Sequence, residues 1–185
     1  MLEGKTVNLR VIEKEDVDFM FEWTNNPDFS GEYSPIAIYG QNSRAEWVRG
    51  LDNPSDMTKL TAFREFIIEK KDGTRIGLMH WFANQPYGTM EVSCFLVPSE
   101  RGKGYGAEAT QLMVDYVFLR KDIVRIQTHT NVGNKKAQNA LKKVGFQIEG
   151  TARKFIFVRG VWADYYLLSI LREEWKEPRI LTKTN

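Results

Sequence analysis

Several stretches of the chain alternate apolar and polar residues with a period of two, which is typical of strands that bury one face. The run VNLRV at residues 7–11 is the first of them. Two later runs flank Asp72-Gly73, a dipeptide that favours a tight hairpin turn because it accepts positive φ values. The alternation predicts strands at residues 7–11, 66–69, 75–79, 90–97, 123–128, 154–158 and 161–171.

Other stretches repeat their apolar residues at i, i+3, i+4 and i+7, the spacing of a helix with one buried face. Residues 109–117 carry Ala, Leu, Met, Tyr and Val at such positions. Residues 137–144 repeat the spacing, and Gly145 follows as the left-handed residue that commonly ends a helix. Both stretches are predicted to be helices that pack on the sheet.

Two shorter helices are predicted in the N-terminal third. Asp16 is expected to cap the first, which ends at residues 25–27 (NNP). A capping box at residues 43–46 (SRAE) opens the second, and residues 52–54 (DNP) close it. Residues 28–42 between them contain glycine and proline among aromatic and acidic residues, which is the composition of a loop.

The predicted elements follow the order β-α-α-β-β-β-α-β-α-β-β, which indicates an α/β protein with a mixed sheet of the α+β kind. A chain of 185 residues is long enough for one substantial core and short for two. We therefore expect one domain over residues 1–185. Its polar tail, about residues 176–185, is expected to be loosely ordered.

The composition argues against several classes of protein. Nucleic-acid-binding proteins usually carry a strong basic stripe, and a net charge of only +2 gives no argument for one here, so we expect no nucleic-acid partner. No signal-like segment and no run of 18 apolar residues occurs, so we expect no membrane partner and a cytoplasmic location. The single cysteine, Cys94, excludes an intramolecular disulfide, and His80 and His129 lack the spacing of a metal site, so no metal is expected.

The most informative stretch is VPSERGKGYGA at residues 97–107, between a predicted strand and a predicted helix. Three glycines within five residues let the main chain approach a ligand closely, and the start of the helix adds a partial positive charge. Arg101 and Lys103 add two cations. The stretch is therefore expected to bind an anion, and a phosphate in particular.

Three kinds of glycine loop compete for this stretch. A P-loop is excluded, because no Gly-Lys-Ser or Gly-Lys-Thr occurs. Gly104-x-Gly106-x-x-Ala109 fits a loose dinucleotide fingerprint, but that motif normally opens an alternating series of strands and helices, whereas here it follows a block of strands. The third pattern, R-x-x-G-x-G from Arg101 to Gly106, resembles the pyrophosphate loop of the GNAT superfamily of acyl-CoA-dependent N-acyltransferases.

The resemblance extends over essentially the whole chain, because the predicted element order is also similar to that of the GNAT fold. Within the superfamily, three segments resemble the RimJ/RimL-type branch, the relatives of the ribosomal-protein-alanine acetyltransferases. These segments are Leu9-Arg10 with Trp23-x-x-Asn26-Pro27, Asn134-x-x-Ala137-x-x-x-Leu141-x-x-x-Gly145-Phe146, and Gly160-x-x-x-Asp164 with Glu174-Trp175.

The resemblance implies acetyl-CoA as co-substrate, with main-chain groups binding its pantetheine arm as if it were an added strand. Asn134 would contact the cofactor, although asparagine is equally a good helix N-cap, and both roles can hold together. The other residues implied in binding are Leu96, Val97 and Pro98 for the pantetheine, and Arg101, Gly102, Lys103, Gly104, Tyr105 and Gly106 for the pyrophosphate.

An amine attacks a thioester only in its neutral form, so a group must accept its proton. Glu91 matches the position of a carboxylate in the RimJ/RimL pattern and is the candidate catalytic base; the alternative is a solvent-facing strand residue. A main-chain N–H of the strand, near Phe95 or Leu96, would stabilise the oxyanion of the tetrahedral intermediate by a hydrogen bond. Many GNAT enzymes carry a tyrosine acid at the position of Leu141, so whether this chain uses a dedicated general acid, water or no acid stays open.

The acceptor would be a small-molecule or peptide amine, shaped by the first helices and the 28–42 loop. Glu22 and Glu32 would attract a cation and Tyr33 would give an aromatic wall, but a solvated acidic loop explains them equally. A protein N-terminus, a polyamine and a small amino metabolite remain open. Transfer to a hydroxyl, or transfer of a longer acyl group, also remains open. So do two other functions, an acyl-CoA sensor without turnover and a dinucleotide-dependent oxidoreductase. The aromatic residues of the final strands could also support a homodimer.

Overall fold

The computed structural model describes residues 1–52, 63–84 and 88–181. Eight strands in the described chain form one sheet in the order β1-β2-β3-β4-β5-β6-β8-β7. Neighbouring strands are antiparallel except β5 and β6, which are parallel and joined through a helix. The strands are β1 (Leu2–Glu3), β2 (Val7–Val11), β3 (Phe63–Lys70), β4 (Arg75–Asn84), β5 (Thr89–Leu96), β6 (Arg125–Asn131), β7 (Gln147–Val158) and β8 (Val161–Leu171).

Helices cover both faces of the sheet. On one face, α4 supplies a buried row that includes Leu112, Met113 and Val117 to the main core. On the other face, Met20 and Phe29 pack on Ile67 and Leu78. The helices of the described chain are α1 (Val17–Thr24), α2 (Pro27–Ser30), α3 (Gln41–Asp52), α4 (Tyr105–Arg120) and α5 (Lys135–Val144).

The mixed sheet expected from the sequence is confirmed, with three local differences. A two-residue strand, β1, precedes the first predicted strand. Helix α2 lies partly inside the predicted loop, because Asn26 accepts a hydrogen bond from the N–H of Asp28 and Pro27 suits the first turn. Helix α3 begins at Gln41, so the expected capping box at 43–46 is wrong: Ser43 already lies inside the helix.

Two expected features lie partly outside the described residues. The first is the predicted end of α3 at residues 53–54. The second is the turn that the sequence PYG at residues 86–88 predicts before β5, of which residues 86–87 lie outside. Among the helices of the described chain, none combines the length and the apolar character needed to cross a bilayer.

Asp16 stands at the start of α1, but its side chain does not cap that helix as expected. The carboxylate is fully buried and accepts hydrogen bonds from Arg10 (2.8 Å, twice), from Nε of Arg75 (2.6 Å) and from the N–H of Glu13 (2.8 Å). Burial alone would raise the pKa of this carboxyl, but the hydrogen bonds from Arg10, Glu13 and Arg75 outweigh it, and the pKa lies below its ordinary value.

This network predicts a pH dependence of stability. Because the pKa of Asp16 is lowered on folding, its contribution is present above about pH 4 and is lost as the pH falls through the folded-state value. The Asp16→Asn variant should be less stable than the wild type at pH 7, and the difference should shrink on acidification. Urea unfolding at pH 7 and pH 3 measures both.

The matched control for this prediction is Asp18→Asn, two residues along, where the side chain is 73% exposed and pairs with Arg44 at the surface. Exposed ion pairs contribute about 0–1 kcal/mol, so this variant should stay close to the wild type at both pH values. A wild-type to Asp16→Asn difference that is constant between pH 7 and pH 3 would contradict the assignment.

The segment after β8 is anchored by a buried carboxylate that the sequence did not single out. Asp115 on α4 is fully buried and accepts from Nε1 of Trp175 and Nε2 of Gln111, both at 2.9 Å. Its other oxygen accepts from the N–H groups of residues 179–181 at 2.9–3.3 Å. The chain is thus held to α4 as far as Leu181, inside the tail that was expected to be loose; residues 182–185 lie outside the described range.

Candidate active site

The sheet opens between β5 and β6. The two strands pair for three residues, from Thr89↔Arg125 to Glu91↔Gln127. Beyond this point β5 remains paired with β4 as far as Leu96, while β6 remains paired with β8 as far as Asn131. Consequently the two parallel strands leave a gap whose closed end lies at Glu91.

Main-chain groups of β5 line this gap. The N–H of Val97 bonds to the carbonyl of Ile76 on the β4 side. Because antiparallel pairing alternates along a strand, the N–H groups of Cys94 and Leu96 face the opposite side, towards β6. Of the two N–H groups considered for an oxyanion, that of Leu96 therefore faces the gap and that of Phe95 faces β4.

The glycine loop follows directly after β5 and leads into α4. Gly102 and Gly104 adopt φ values of 80° and 94°, and a Cβ added at either would meet nothing within 4 Å. The main-chain N–H groups of residues 102–106 donate to no acceptor in the described chain. This stretch thus combines open space with a row of free donors at a helix start, which fits a phosphate group.

The basic side chains of the loop are partly engaged within the protein. Nε of Arg101 donates to the carbonyl of Leu96 (2.9 Å), and Nη2 donates to those of Asp28 and Phe29 (2.7 Å each). Lys103 pairs with Glu100 at 3.0 Å. Arg101 therefore ties α2 to the loop, and its expected contact with a pyrophosphate stays a prediction.

Glu91 and His129 form a pair at the closed end of the gap. Register places Glu91 opposite Gln127, and His129 lies two residues further along β6 on the same face. Oε1 of Glu91 lies 3.2 Å from Nδ1 of His129, and Oε2 accepts from Nε2 of Gln127 at 3.5 Å. The side chains of Glu91 and His129 are only 14% and 19% exposed. Glu91 is thus a partly buried residue with a partner, rather than a solvent-facing one.

A cleft of about 560 Å³ lies over this pair. From the sheet it is lined by Glu91, Ser93 and Phe95 of β5 and by His129 of β6, so it lies beside the gap. The remaining lining residues belong to the end of α2 and the loop after it (Ser30, Ser34, Pro35 and Ala37) and to the last hairpin (Phe155, Ile156 and Tyr165).

A bulge in β7 brings an aromatic ring over His129. The pairing of β7 with β8 jumps from Ala152 to Ile156, and Lys154 inside the jump has a φ of 50° and donates its N–H to Asp164 at 2.8 Å. The ring of Phe155 stacks on that of His129 with centroids 4.8 Å apart and an angle of 23° between planes. Bulges commonly redirect side chains in this way beside functional sites.

The three residues expected to bind the acceptor lie outside this lining. Glu22 and Glu32 are exposed. Tyr33 is half-buried; its hydroxyl donates to the carbonyl of Gly133 (3.3 Å), and its own carbonyl accepts from the hydroxyl of Tyr165. Burial, followed by the charge of Glu32, raises the pKa of the Tyr33 phenol. Contact of these three residues with an acceptor stays a prediction.

Two residues for which the sequence predicted a cofactor-binding role or questioned a catalytic one lie at the start of α5 and within it. Oδ1 of Asn134 accepts from the N–H of Ala137 at 3.1 Å, which confirms the N-cap role, while its amide nitrogen donates to no described residue. Leu141 packs against the main core. The hydroxyl of Tyr165, which lines the cleft, donates its hydrogen bond to the carbonyl of Tyr33.

Thiol chemistry is not supported at this site. Burial raises the pKa of the Cys94 thiol to about 12, and a thiol that stays protonated is a poor nucleophile. Within the described ranges, no group of three or more His, Cys, Asp or Glu side chains is arranged to hold a metal ion.

A model of the acetyltransferase (GNAT) domain matches residues 6–147, which is more than half of the chain. The chain belongs to the GNAT acetyltransferase family. This confirms the family expected from the glycine loop, and it makes the protein an N-acetyltransferase with the fold of that family.

Individual relatives agree with this assignment. The probable N-acetyltransferase YjcK of Bacillus subtilis (strain 168) is 30% identical over 184 residues, covering 94% of this chain and 98% of that protein. The spermidine N-acetyltransferase from Vibrio cholerae, solved with CoA and spermine, has a TM-score of 0.78 at 24% identity, covering 91% of this chain and 97% of that one. The ribosomal-protein-S5-alanine acetyltransferase from Vibrio fischeri has a TM-score of 0.78 at 22% identity, covering 94% and 97%. At identities below 25%, the similarity to these two structures supports the fold of this chain and nothing more.

Proposed function

We propose that this protein is a RimJ/RimL-type enzyme that transfers the acetyl group of acetyl-CoA directly to a primary amine. The observation that carries the proposal is the gap between β5 and β6: one end opens towards a row of free N–H donors, and the other closes on Glu91 and His129. A phosphate-bearing thioester and a proton acceptor can therefore meet at one place.

The residues of the gap fit acetyl-CoA, which supplies an acetyl group activated as a thioester. The free N–H groups of residues 102–106 would hold its pyrophosphate, because anions bind at helix starts and in main-chain nests. Main-chain groups of residues 96–98 would bind the pantetheine along the unpaired side of β5. The amide nitrogen of Asn134 is a further donor that α5 does not use.

The end of the gap supplies what an amine needs in order to react. Alkyl amines are largely protonated at neutral pH, and only the neutral form attacks a carbonyl carbon. The pair formed by Glu91 and His129 can accept the proton, and the N–H of Leu96 can stabilise negative charge on the carbonyl oxygen. The sequence pattern predicted Glu91 as the base of this step.

The cleft favours an acceptor that brings one positive charge to it. Glu91 is the one carboxylate among the described lining residues, and it is already hydrogen-bonded to His129. A peptide N-terminus or a small monoamine matches this balance of charge. A polyamine, the acceptor class of the Vibrio cholerae relative, would need further carboxylates at the mouth, where Glu22 and Glu32 are the candidates.

The glycine loop gives a direct test of cofactor binding. Gly104→Ala should weaken the affinity for acetyl-CoA about tenfold, because a Cβ at a φ of 94° costs about 1–2 kcal/mol and reshapes the donor row. Isothermal titration calorimetry measures the change. Gly150→Ala is the matched control, because its Cβ also meets nothing within 4 Å but its φ lies outside the positive range. If both variants weakened acetyl-CoA binding equally, or if neither did, the pyrophosphate would have to bind elsewhere.

A further inference from the structure

Of the two partners at the end of the gap, His129 has the freer proton-accepting atom. Both oxygens of Glu91 already face side chains of β6: Oε1 contacts Nδ1 of His129, and Oε2 accepts from Gln127. Nε2 of His129, on the far side of the ring, bonds to no described residue, and His129 lines the cleft.

The chemistry of the pair fixes which ring nitrogen carries the proton. An ionised carboxylate only accepts hydrogen bonds, so Nδ1 of His129 must donate to Glu91. In the neutral ring this leaves the lone pair on Nε2. In this arrangement the carboxylate of Glu91 can orient the imidazole of His129 and stabilise it once it is protonated.

The ring of His129 is held on its flat side as well. Phe155 stacks on it at 4.8 Å, and the β7 bulge that presents Phe155 is secured by the hydrogen bond from the N–H of Lys154 to Asp164. Phe155 in turn contacts Tyr165, with ring centroids 5.9 Å apart. A base restrained in this way loses little entropy when it meets its substrate.

We propose that Nε2 of His129 is the atom that takes the proton from the acceptor amine, and that Glu91 is the residue that positions it. The inference rests on the proposed function and changes the role that the sequence pattern gave to Glu91. His129 becomes the catalytic base, and Glu91 acts through it.

The step balances without another reactant. An ammonium group entering the cleft gives one proton to Nε2 of His129, and the nitrogen lone pair then forms a C–N bond with the acetyl carbonyl carbon. The C–S bond breaks, its electron pair leaves on the sulfur, and a second proton from the nitrogen neutralises the thiolate. The products are an amide and free CoA, and His129 returns its proton to solvent.

The test is chemical rescue of His129→Ala. This variant should lose about 10²- to 10⁴-fold in kcat, the usual contribution of a general base, with an unchanged Kd for acetyl-CoA. Added imidazole should restore part of the activity in proportion to its concentration. His80→Gln is the matched control at the other histidine of the chain, which lies outside the cleft described here, and it should keep wild-type activity.

Glu91→Gln, alone and in the His129→Ala background, separates the two roles. If Glu91 only positions the ring, its substitution lowers kcat with little change in the KM for the amine, but it adds little to the loss already caused by His129→Ala. A Glu91 that took the proton itself would instead leave His129→Ala largely active. Activity of His129→Ala equal to that of the wild type, or the absence of imidazole rescue, would overturn the assignment. A wild type that releases no thiol with any amine would instead overturn the proposed function itself.

Discussion

Replacing Asp115 by alanine is expected to lower the free energy of unfolding by about 3–5 kcal/mol, because each buried donor left without its acceptor costs about 1–3 kcal/mol and some can be re-satisfied by water. The carboxylate is fully buried and satisfies five donors, from Gln111, Trp175 and the main chain of residues 179–181. Without it these donors lose their acceptor inside the protein. Chemical denaturation followed by tryptophan fluorescence measures the change.

Asp122→Ala is the control for this prediction, because Asp122 is exposed just beyond the end of α4. Its effect should stay within about 0.5 kcal/mol. A loss for Asp115→Ala no larger than that of the control would mean that the tail is not held by this carboxylate. Limited proteolysis gives an independent reading, since release of residues 179–181 should make the tail accessible to protease.

The second large effect concerns catalysis. Glu91→Gln should lower kcat by about 10²-fold or more, because the imidazole of His129 loses the charge that orients it and stabilises its protonated form. The Kd for acetyl-CoA should not change, since the glycine loop proposed to bind its pyrophosphate lies at the other end of the gap. Steady-state kinetics with a saturating amine, together with calorimetry, measures both quantities.

A Glu65→Gln variant is the matched control, because Glu65 also lies beside a histidine, with 3.6 Å between its Oε1 and Nδ1 of His80, but away from the gap. It should retain its kcat. If Glu91→Gln retained full activity as well, neither the carboxylate nor its pair with His129 would take part in the reaction.

The glycine loop could be recognised from the sequence because its signal is local. Glycines at 102, 104 and 106 follow a strand pattern and precede a helix pattern within one short segment, and the conformation they require is a property of each residue. The positive φ values of Gly102 and Gly104 are what that reasoning expects. The same holds for Asn134 and Gly145 at the two ends of α5.

The partner of Glu91 could not be found in the same way. Glu91 and His129 lie 38 positions apart, and they meet only because β5 and β6 pair in one particular register. Strand alternation alone does not fix that register. The sequence pattern placed His129 in a strand but gave it no orienting partner; the parallel pairing of β5 and β6 was the signal that could have revealed one.

The burial of Asp115 and of Asp16 was not predicted, for a related reason; Asp16 was expected only as a helix cap. Each is a charged residue in a sequence position where a solvated surface is the usual expectation. Asp115 is buried because the chain after β8 returns to α4, and Asp16 because arginines of β2 and β4 converge on it. Such polar networks depend on tertiary contacts, which the local pattern does not encode.

The most direct test of the central claim is the release of free thiol from acetyl-CoA, measured with peptides of different N-terminal residues, with polyamines and with amino sugars. The account predicts release that depends on at least one primary amine, disappears when that amine is already acetylated, and leaves an acetyl group on nitrogen by mass spectrometry. Tight binding of acetyl-CoA without amine-dependent release, as expected of a sensor, or an acetyl group found on a hydroxyl, would contradict it.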